Sequence, residues 1–308
     1  MPRIEHPVSL LVPRLRGLHL FHFEGAPCAQ RVRLALAEKG FARGREVAWS
    51  SDADTTLAAD PGTWTSRHVS LVRKQHLTPA YAAIHPNMVV PALVHDGWLY
   101  LESMDIVAYL DELVPANPLI PADPERRRLA EDLVADGKRL HVSLRFVSFR
   151  WGLGRLGRLG AKEEEALRRL EPAGSPEKMF DFYSRYDDGR IDESTYLAHL
   201  AGLEQGFARL EALLGDGRAF LTGDSLTVAD VLWALKVLRL TECGYPFAPR
   251  FPHVETWFAR MRARPSFRSG VMQRHRLLSG AFRWKAAVEN FFGAGLGAVG
   301  GGSPAAAR

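Results

Sequence analysis

The stretch Leu77–Glu112, LTPAYAAIHPNMVVPALVHDGWLYLESMDIVAYLDE, decides the fold. Its apolar runs Val89–Val94 and Trp98–Leu101 read as two strands. His95-Asp96-Gly97 joins them as a hairpin turn, because Asp-Gly supplies the positive φ angles of a tight reversal. Pro91 stands near the start of the first run, in Val90-Pro91. Proline cannot donate to a ladder, so it marks an edge or a special bond, and a cis bond there would leave the preceding backbone free to pair with a peptide-like ligand. Pro79–Ile84 is a short helical turn. Ile106, Tyr109, Leu110 and Leu113 follow at i, i+3, i+4 and i+7, the spacing of one helix face, and Pro115 stops that helix. Glu102-Ser103 leads into it. A hydroxyl and free N–H groups at a helix start form a carboxylate site, and a glutamate beside them accepts an ammonium. A simple helix cap is the other reading of the pair.

Toward the N-terminus, LHLFHF at Leu18–Phe23 is a short apolar strand. EGAP turns the chain into a helix with Pro27 at its first position, where a missing N–H costs nothing. Val32, Ala35 and Leu36 share one face, Arg31, Arg33, Glu38 and Lys39 are expected in solvent, and Gly40 is the stop. A second strand fits Arg45–Ser50, and residues 51–75 form a polar, irregular connection of unusual length. The order is strand, helix, strand, short helix, hairpin, helix, which mixes parallel and antiparallel pairing. In the first helix turn the free N–H groups and the dipole favour a thiolate at Cys28, and Arg31 adds positive charge one turn on. The competing reading of Cys28 is a small packing residue.

Residues 1–16 read as an extension and residues 17–115 as the first domain. ANPLIPADP at 116–124, with three prolines, suits a linker. An all-helical domain is expected over 125–285 and a flexible tail over 286–308, Gly/Ala-rich from Gly293 and ending GGGSPAAAR. Within the helical part, Arg126–Val147 reads as one long helix. Tyr196, Leu200, Leu203, Phe207, Leu210 and Leu214 make an apolar stripe. Thr227 caps the next helix, with Asp230 three residues on completing a capping box. Residues 152–188, interrupted by Gly, Arg and Pro, read as an exposed excursion.

Composition narrows the class. The chain has 308 residues, 46% hydrophobic and 24% charged, the balance of a globular protein with a real core. Its two cysteines, Cys28 and Cys243, lie far apart, which argues against a disulfide framework and fits a reducing cytosol. No apolar run of about 18 residues occurs, so no integral membrane association is expected, and the N-terminus shows no secretory signal pattern. The net charge of +5 includes an arginine-rich stretch from Arg139 to Arg169. No nucleic-acid motif accompanies it, so a solvated basic surface is expected, and no nucleic-acid partner.

Taken in order, several segments resemble the cytosolic glutathione transferase superfamily. APCAQRVRLALAEKGF at 26–41 is similar to that family's first helix, and 77–112 to its stretch through a cis-proline and a Glu-Ser pair. LIPADPERR resembles the interdomain link, and LTVADVLWAL and FPHVETWFARMRARPSF resemble two helices of the second domain. The likeness spans about 18–270. It implies the glutathione transferase fold, an α/β thioredoxin-like N-terminal domain followed by an all-α C-terminal domain. It implies glutathione as co-substrate, no metal, an apolar electrophile as second substrate, and a homodimer. It implies that Val90 pairs by its backbone with the cysteinyl part of glutathione, that Pro91 is cis, and that Glu102 and Ser103 hold the γ-glutamyl end. His76 matches where some members place a residue near the glycine carboxylate; a solvated His is the alternative. One position departs: many relatives carry Ser or Cys just before the first-turn proline, and here Ala26 stands there. Cys28 or the helix N–H groups would then have to activate the thiol. The longer second domain also resembles, loosely, that of bacterial lignin β-aryl-etherases. Conjugation, ether cleavage, a non-catalytic binding role and thiol transfer through Cys28 all stay open at this point.

Overall fold

A computed structural model of the chain describes residues 4, 7–52, 62–172 and 179–299. The described residues group into two compact units. One is made of the described residues within 4–118, 158–190 and 269–271; the other of those within 119–157, 191–268 and 272–299. The segments of the two units alternate along the chain.

The first unit is built on a five-stranded mixed sheet. The strands are β1 (Leu18–His22), β2 (Ala42–Ala48), β3 (Thr63–His68), β4 (Ala92–His95) and β5 (Trp98–Tyr100), in the order β2-β3-β1-β4-β5. β3 runs parallel to both neighbours, and β4 runs antiparallel to β1 and β5. The hairpin closes where His95 faces Trp98, with Asp96 and Gly97 at φ +49° and +84°, the turn that Asp-Gly predicts. β3 corrects the expectation of an irregular loop over 51–75, of which 53–61 lie outside the described residues. The strand escaped detection because it buries polar side chains. Ser66 meets His22, and Arg67 donates to His19 Nδ1 and to the carbonyls of Ala48, Trp49 and Ser51. Bonded to residues elsewhere in the chain, these polar groups leave no apolar alternation to read.

Helices α1 (Pro27–Glu38), α2 (Pro79–Ala82) and α3 (Ser103–Leu113) complete this core. Val12 and Leu15, in the expected extension, are fully buried with Phe21, Ala29, Tyr81 and Val90. Arg31, Arg33 and Lys39, expected in solvent, are buried as well. Lys39 donates to the carbonyls of Val114, Ala116 and Asn117 and pairs with Asp111 at 2.5 Å, so its charge closes the C-terminal end of α3.

The helices that follow are α4 (Pro124–Arg139), α5 (His141–Val147), α6 (Ala161–Leu170), α7 (Met179–Asp187), α8 (Glu193–Leu214), α9 (Val228–Glu242), the short α10 (Phe247–Arg250), α11 (Pro252–Ala263), the short α12 (Pro265–Phe267) and α13 (Arg276–Phe291). α6 and α7 belong to the first unit and the others to the second. The single long helix expected over 126–147 breaks at Leu140, whose ψ of 9° leaves the helical region. The excursion at 152–188 is less exposed than expected: Leu167, Phe182 and Tyr183 are buried, while 173–178 lie outside the described residues. α13 continues to Phe291 through the start of the expected tail, and 300–308 lie outside the described residues. The predicted α8 stripe is the buried face of that helix. At the start of α9 both bonds of the Thr227–Asp230 capping box are present.

Candidate functional site

Two helix N-termini carry the residues singled out by sequence. Ala26 is the N-cap of α1, in extended conformation and without a side-chain cap bond, so the first N–H groups of α1 find no capping acceptor there. Cys28, the second residue of that helix, is half-buried. Ser103 opens α3 and is buried. Glu102, the residue before it, is exposed and held at φ +63°, a left-handed conformation costly for a side chain with a Cβ.

Arg31 brings the two helices together. Its Nη1 donates to Ser103 Oγ at 3.3 Å and reaches Cys28 Sγ at 3.5 Å. Sequence reasoning missed this placement. The signal was a basic residue one turn after Cys28, and periodicity put it on a solvent face.

Val90-Pro91 is a cis peptide bond. Val90 precedes the first ladder residue, Ala92, and packs in the apolar cluster that contains Ala29 and touches Ala26. Val90 is thus tied to α1 by packing, while Ser103 is tied to it by Arg31. Tyr81 donates its hydroxyl to the Val89 carbonyl at 2.8 Å, which fixes the backbone just before the bond.

His76 is buried, not solvated, and its Nδ1 has no partner among the described residues. Burial, with Lys74 beside it, pulls its pKa down to about 3. A neutral imidazole supplies a hydrogen bond but no charge for a carboxylate. Burial likewise pulls His85 down to about 4. Both groups therefore bind fewer protons folded than unfolded between their folded values and the ordinary 6.5 or so of histidine. Stability must then fall as pH drops through that window, by about 1.4 kcal/mol per pH unit for each histidine. In urea unfolding at pH 7.5 and pH 5.5, His85→Leu should lose about 1.4 kcal/mol less than the unmodified protein. An identical acid loss in the two proteins would show that His85 does not act this way.

His22, at the end of β1, offers no second activating group. It is fully buried, receives a bond from Arg33 at Nδ1 and donates from Nε2 to Ser66 Oγ at 2.8 Å.

Comparison with known proteins agrees with this architecture. Residues 20–118 match the family model "Glutathione S-transferase, N-terminal domain", and residues 170–265 match "Glutathione S-transferase, C-terminal domain". Glutathione S-transferase 1 of Dianthus caryophyllus is 27% identical over 76% of this chain and 82% of its own length. The 2,5-dichlorohydroquinone reductive dechlorinase of Sphingobium indicum is 27% identical over 82% of each chain. Among solved structures, a beta-etherase from Sphingobium sp. strain SYK-6 superimposes with a TM-score of 0.68 at 20% identity, covering 83% of this chain and 99% of its own. The chain belongs to the glutathione S-transferase superfamily, whose members use glutathione as co-substrate. Among the described residues, no helix is long and apolar enough to cross a membrane.

Proposed function

We propose that the protein is a glutathione-dependent transferase that conjugates the glutathione thiolate to an electrophilic carbon of an apolar substrate. The observation that carries this reading is the meeting of Cys28, Arg31 and Ser103 at two helix starts within the family-matched segment. In this reading the backbone of Val90 takes the cysteinyl part of glutathione, and Glu102 and Ser103 take the γ-glutamyl end. The catalytic task is to lower the glutathione thiol from a pKa of roughly 8.5 toward neutrality. The α1 N-terminus and the Cys28–Arg31 pair are the groups available for it, since Ala26 brings no hydroxyl. The thiolate sulfur attacks the carbon, a C–S bond forms, and the leaving group departs with the electron pair of the broken bond. A cytosolic homodimer acting in detoxification belongs to the same reading.

Thiolysis of a β-aryl ether would use the same thiolate with a phenolate as leaving group. Parallel assays of aryl halides and aryl ethers separate the two reactions. Ala26 favours a third reading, binding without catalysis, and ultraviolet titration of the bound thiol tests it: an unshifted pKa would establish it.

The site itself is tested by calorimetry. Glu102→Ala combined with Ser103→Ala should weaken glutathione binding by about 100-fold, the scale of one to two hydrogen bonds to charged groups. Undiminished affinity in the folded double variant would remove these residues from the site.

A further inference from the structure

Helix α13 carries an apolar face that the described residues leave in solvent. Leu277, Trp284, Val288 and Phe291 stand at i, i+7, i+11 and i+14. At 3.6 residues per turn they fall within about 60° of one another and extend along about 21 Å of the helix. Leu277 is 89% exposed, Trp284 73% and Phe291 84%, and Phe292 beside them is exposed as well. Phe291 and Phe292 meet edge to face at 5.2 Å. Apolar residues exposed singly are ordinary on a protein surface; a continuous row of this kind marks an interaction surface. The opposite side of the helix is fixed. Ser279, Phe282 and Ala286 are buried. His275, the N-cap of α13, bonds to Glu242 of α9 at 2.6 Å, and the Arg239 guanidinium lies over the Phe282 ring. Lys285 donates to the Trp151 carbonyl. One face thus holds α13 to its own unit, and a second apolar face points about 180° away.

Charge selects the occupant. Arg276 and Arg283 are exposed and flank the row on one side, and Lys285 flanks it on the other. Between Arg274 and Phe292 the only acidic residue is Glu289, and it is paired with Lys285. A second copy docked by this face would set arginine against arginine, with no unpaired carboxylate in that segment to meet them. An anionic lipid surface suits both features at once. Its headgroups attract the basic flanks, and its headgroup–acyl boundary takes Trp, Phe and Leu side chains. We infer that α13 docks the protein on an anionic lipid bilayer. The helix lies in the plane of the interface, with Leu277, Trp284, Val288 and Phe291 inserted and Arg276, Arg283 and Lys285 among the headgroups. This is attachment to a surface and not a crossing. It uses none of the residues assigned to glutathione, so it stands or falls apart from that reading.

The experiment is co-flotation of the full chain with vesicles of phosphatidylcholine alone and with vesicles of phosphatidylcholine mixed with phosphatidylglycerol. The chain should bind the mixed vesicles about 100-fold more tightly, the scale of three basic side chains near an anionic surface. Trp284→Ser combined with Phe291→Ser should weaken that binding by about 30-fold, through lost insertion. Arg276→Gln combined with Arg283→Gln should weaken it by about 30-fold on the mixed vesicles and leave the affinity for phosphatidylcholine unchanged. All four side chains are exposed, so both variants should keep the melting temperature of the unmodified protein. Brominated acyl chains report the insertion directly: they should quench tryptophan emission in the unmodified protein, and the quenching should vanish in Trp284→Phe, which still floats. Equal binding to the two kinds of vesicle, or binding to neither, overturns the assignment. So does a serine variant that floats as well as the unmodified protein, since the contact would then be charge alone. If the unmodified protein ignores vesicles and sedimentation shows an assembly that the serine variant breaks up, the face joins copies of the chain and the lipid assignment fails.

Discussion

Asp230→Ala should lower the free energy of unfolding by about 4 kcal/mol, measured by urea denaturation of the second unit's helices. Asp230 is fully buried at the start of α9. Its Oδ1 accepts from the Leu221 N–H and from Trp257 Nε1, each at 2.9 Å. Its Oδ2 accepts from the Thr227 N–H at 2.9 Å and the Thr227 hydroxyl at 3.0 Å. Burial holds the carboxyl above its ordinary value, and these donors offset only part of that rise. One side chain thus satisfies the segment before α9, the cap of α9 and a tryptophan of α11. Alanine leaves buried donors without an acceptor and a small void beside Trp257. Asparagine should be nearly as damaging despite its similar volume, because its NH2 group must face N–H or O–H donors on one side. An Asp230→Asn variant within about 1 kcal/mol of the parent would refute the four-donor account.

Arg33→Leu should cost a comparable amount, about 4 kcal/mol. Arg33 is fully buried in α1, and burial brings its pKa down to about 10, so it remains charged at neutral pH. It donates to the carbonyls of Gly270, Phe23 and Glu24 and to His22 Nδ1. Its bond to Nδ1 obliges His22 to carry its proton on Nε2, which then donates to Ser66. Burial alone would raise the Glu24 carboxyl; Arg33 first, then Arg43, outweigh it and hold it low. Leucine therefore strands three carbonyls, a histidine and part of a carboxylate. Arg33→Lys keeps the charge but has no fork to reach acceptors on opposite sides, and should lose more than half as much. A leucine variant that unfolds within about 1 kcal/mol of the parent would show that water replaces these bonds.

The two residues mark the limit of what the chain discloses. The hairpin at Asp96-Gly97, α3, the α8 stripe and the Thr227–Asp230 box are local patterns, and each is where its spacing puts it. The pairing of Cys28 and Ser103 through Arg31 joins residues 72 positions apart along the chain, from Arg31 to Ser103, and no local pattern encodes it. Buried charge is the common reason for the misreadings. Periodicity assigns Arg31, Arg33 and Lys39 to solvent because it scores a charged side chain as exposed. It misses β3 for the same reason, since Ser66 and Arg67 are polar residues inside a core. Arg33 and Lys39 are buried because partners distant in sequence, the Gly270 carbonyl for one and the Val114, Ala116 and Asn117 carbonyls for the other, make burial affordable. Ala26 was legible at once, and it explains why the site's chemistry must be sought in Cys28, Arg31 and the helix start.

The interleaving of the two units has a practical consequence. The chain passes between them after Pro118, Gly157, Arg190, Arg268 and Val271. No single cut separates one unit from the other. A fragment ending at residue 118 would lack α6, α7 and the Gly270 carbonyl that receives Arg33 Nε. Dissection into halves, the usual way to study such proteins piecewise, would strand that donor and divide the first unit. Inheritance faces the same constraint: a recombination that exchanges the front of this gene for another's would have to carry three separated segments at once.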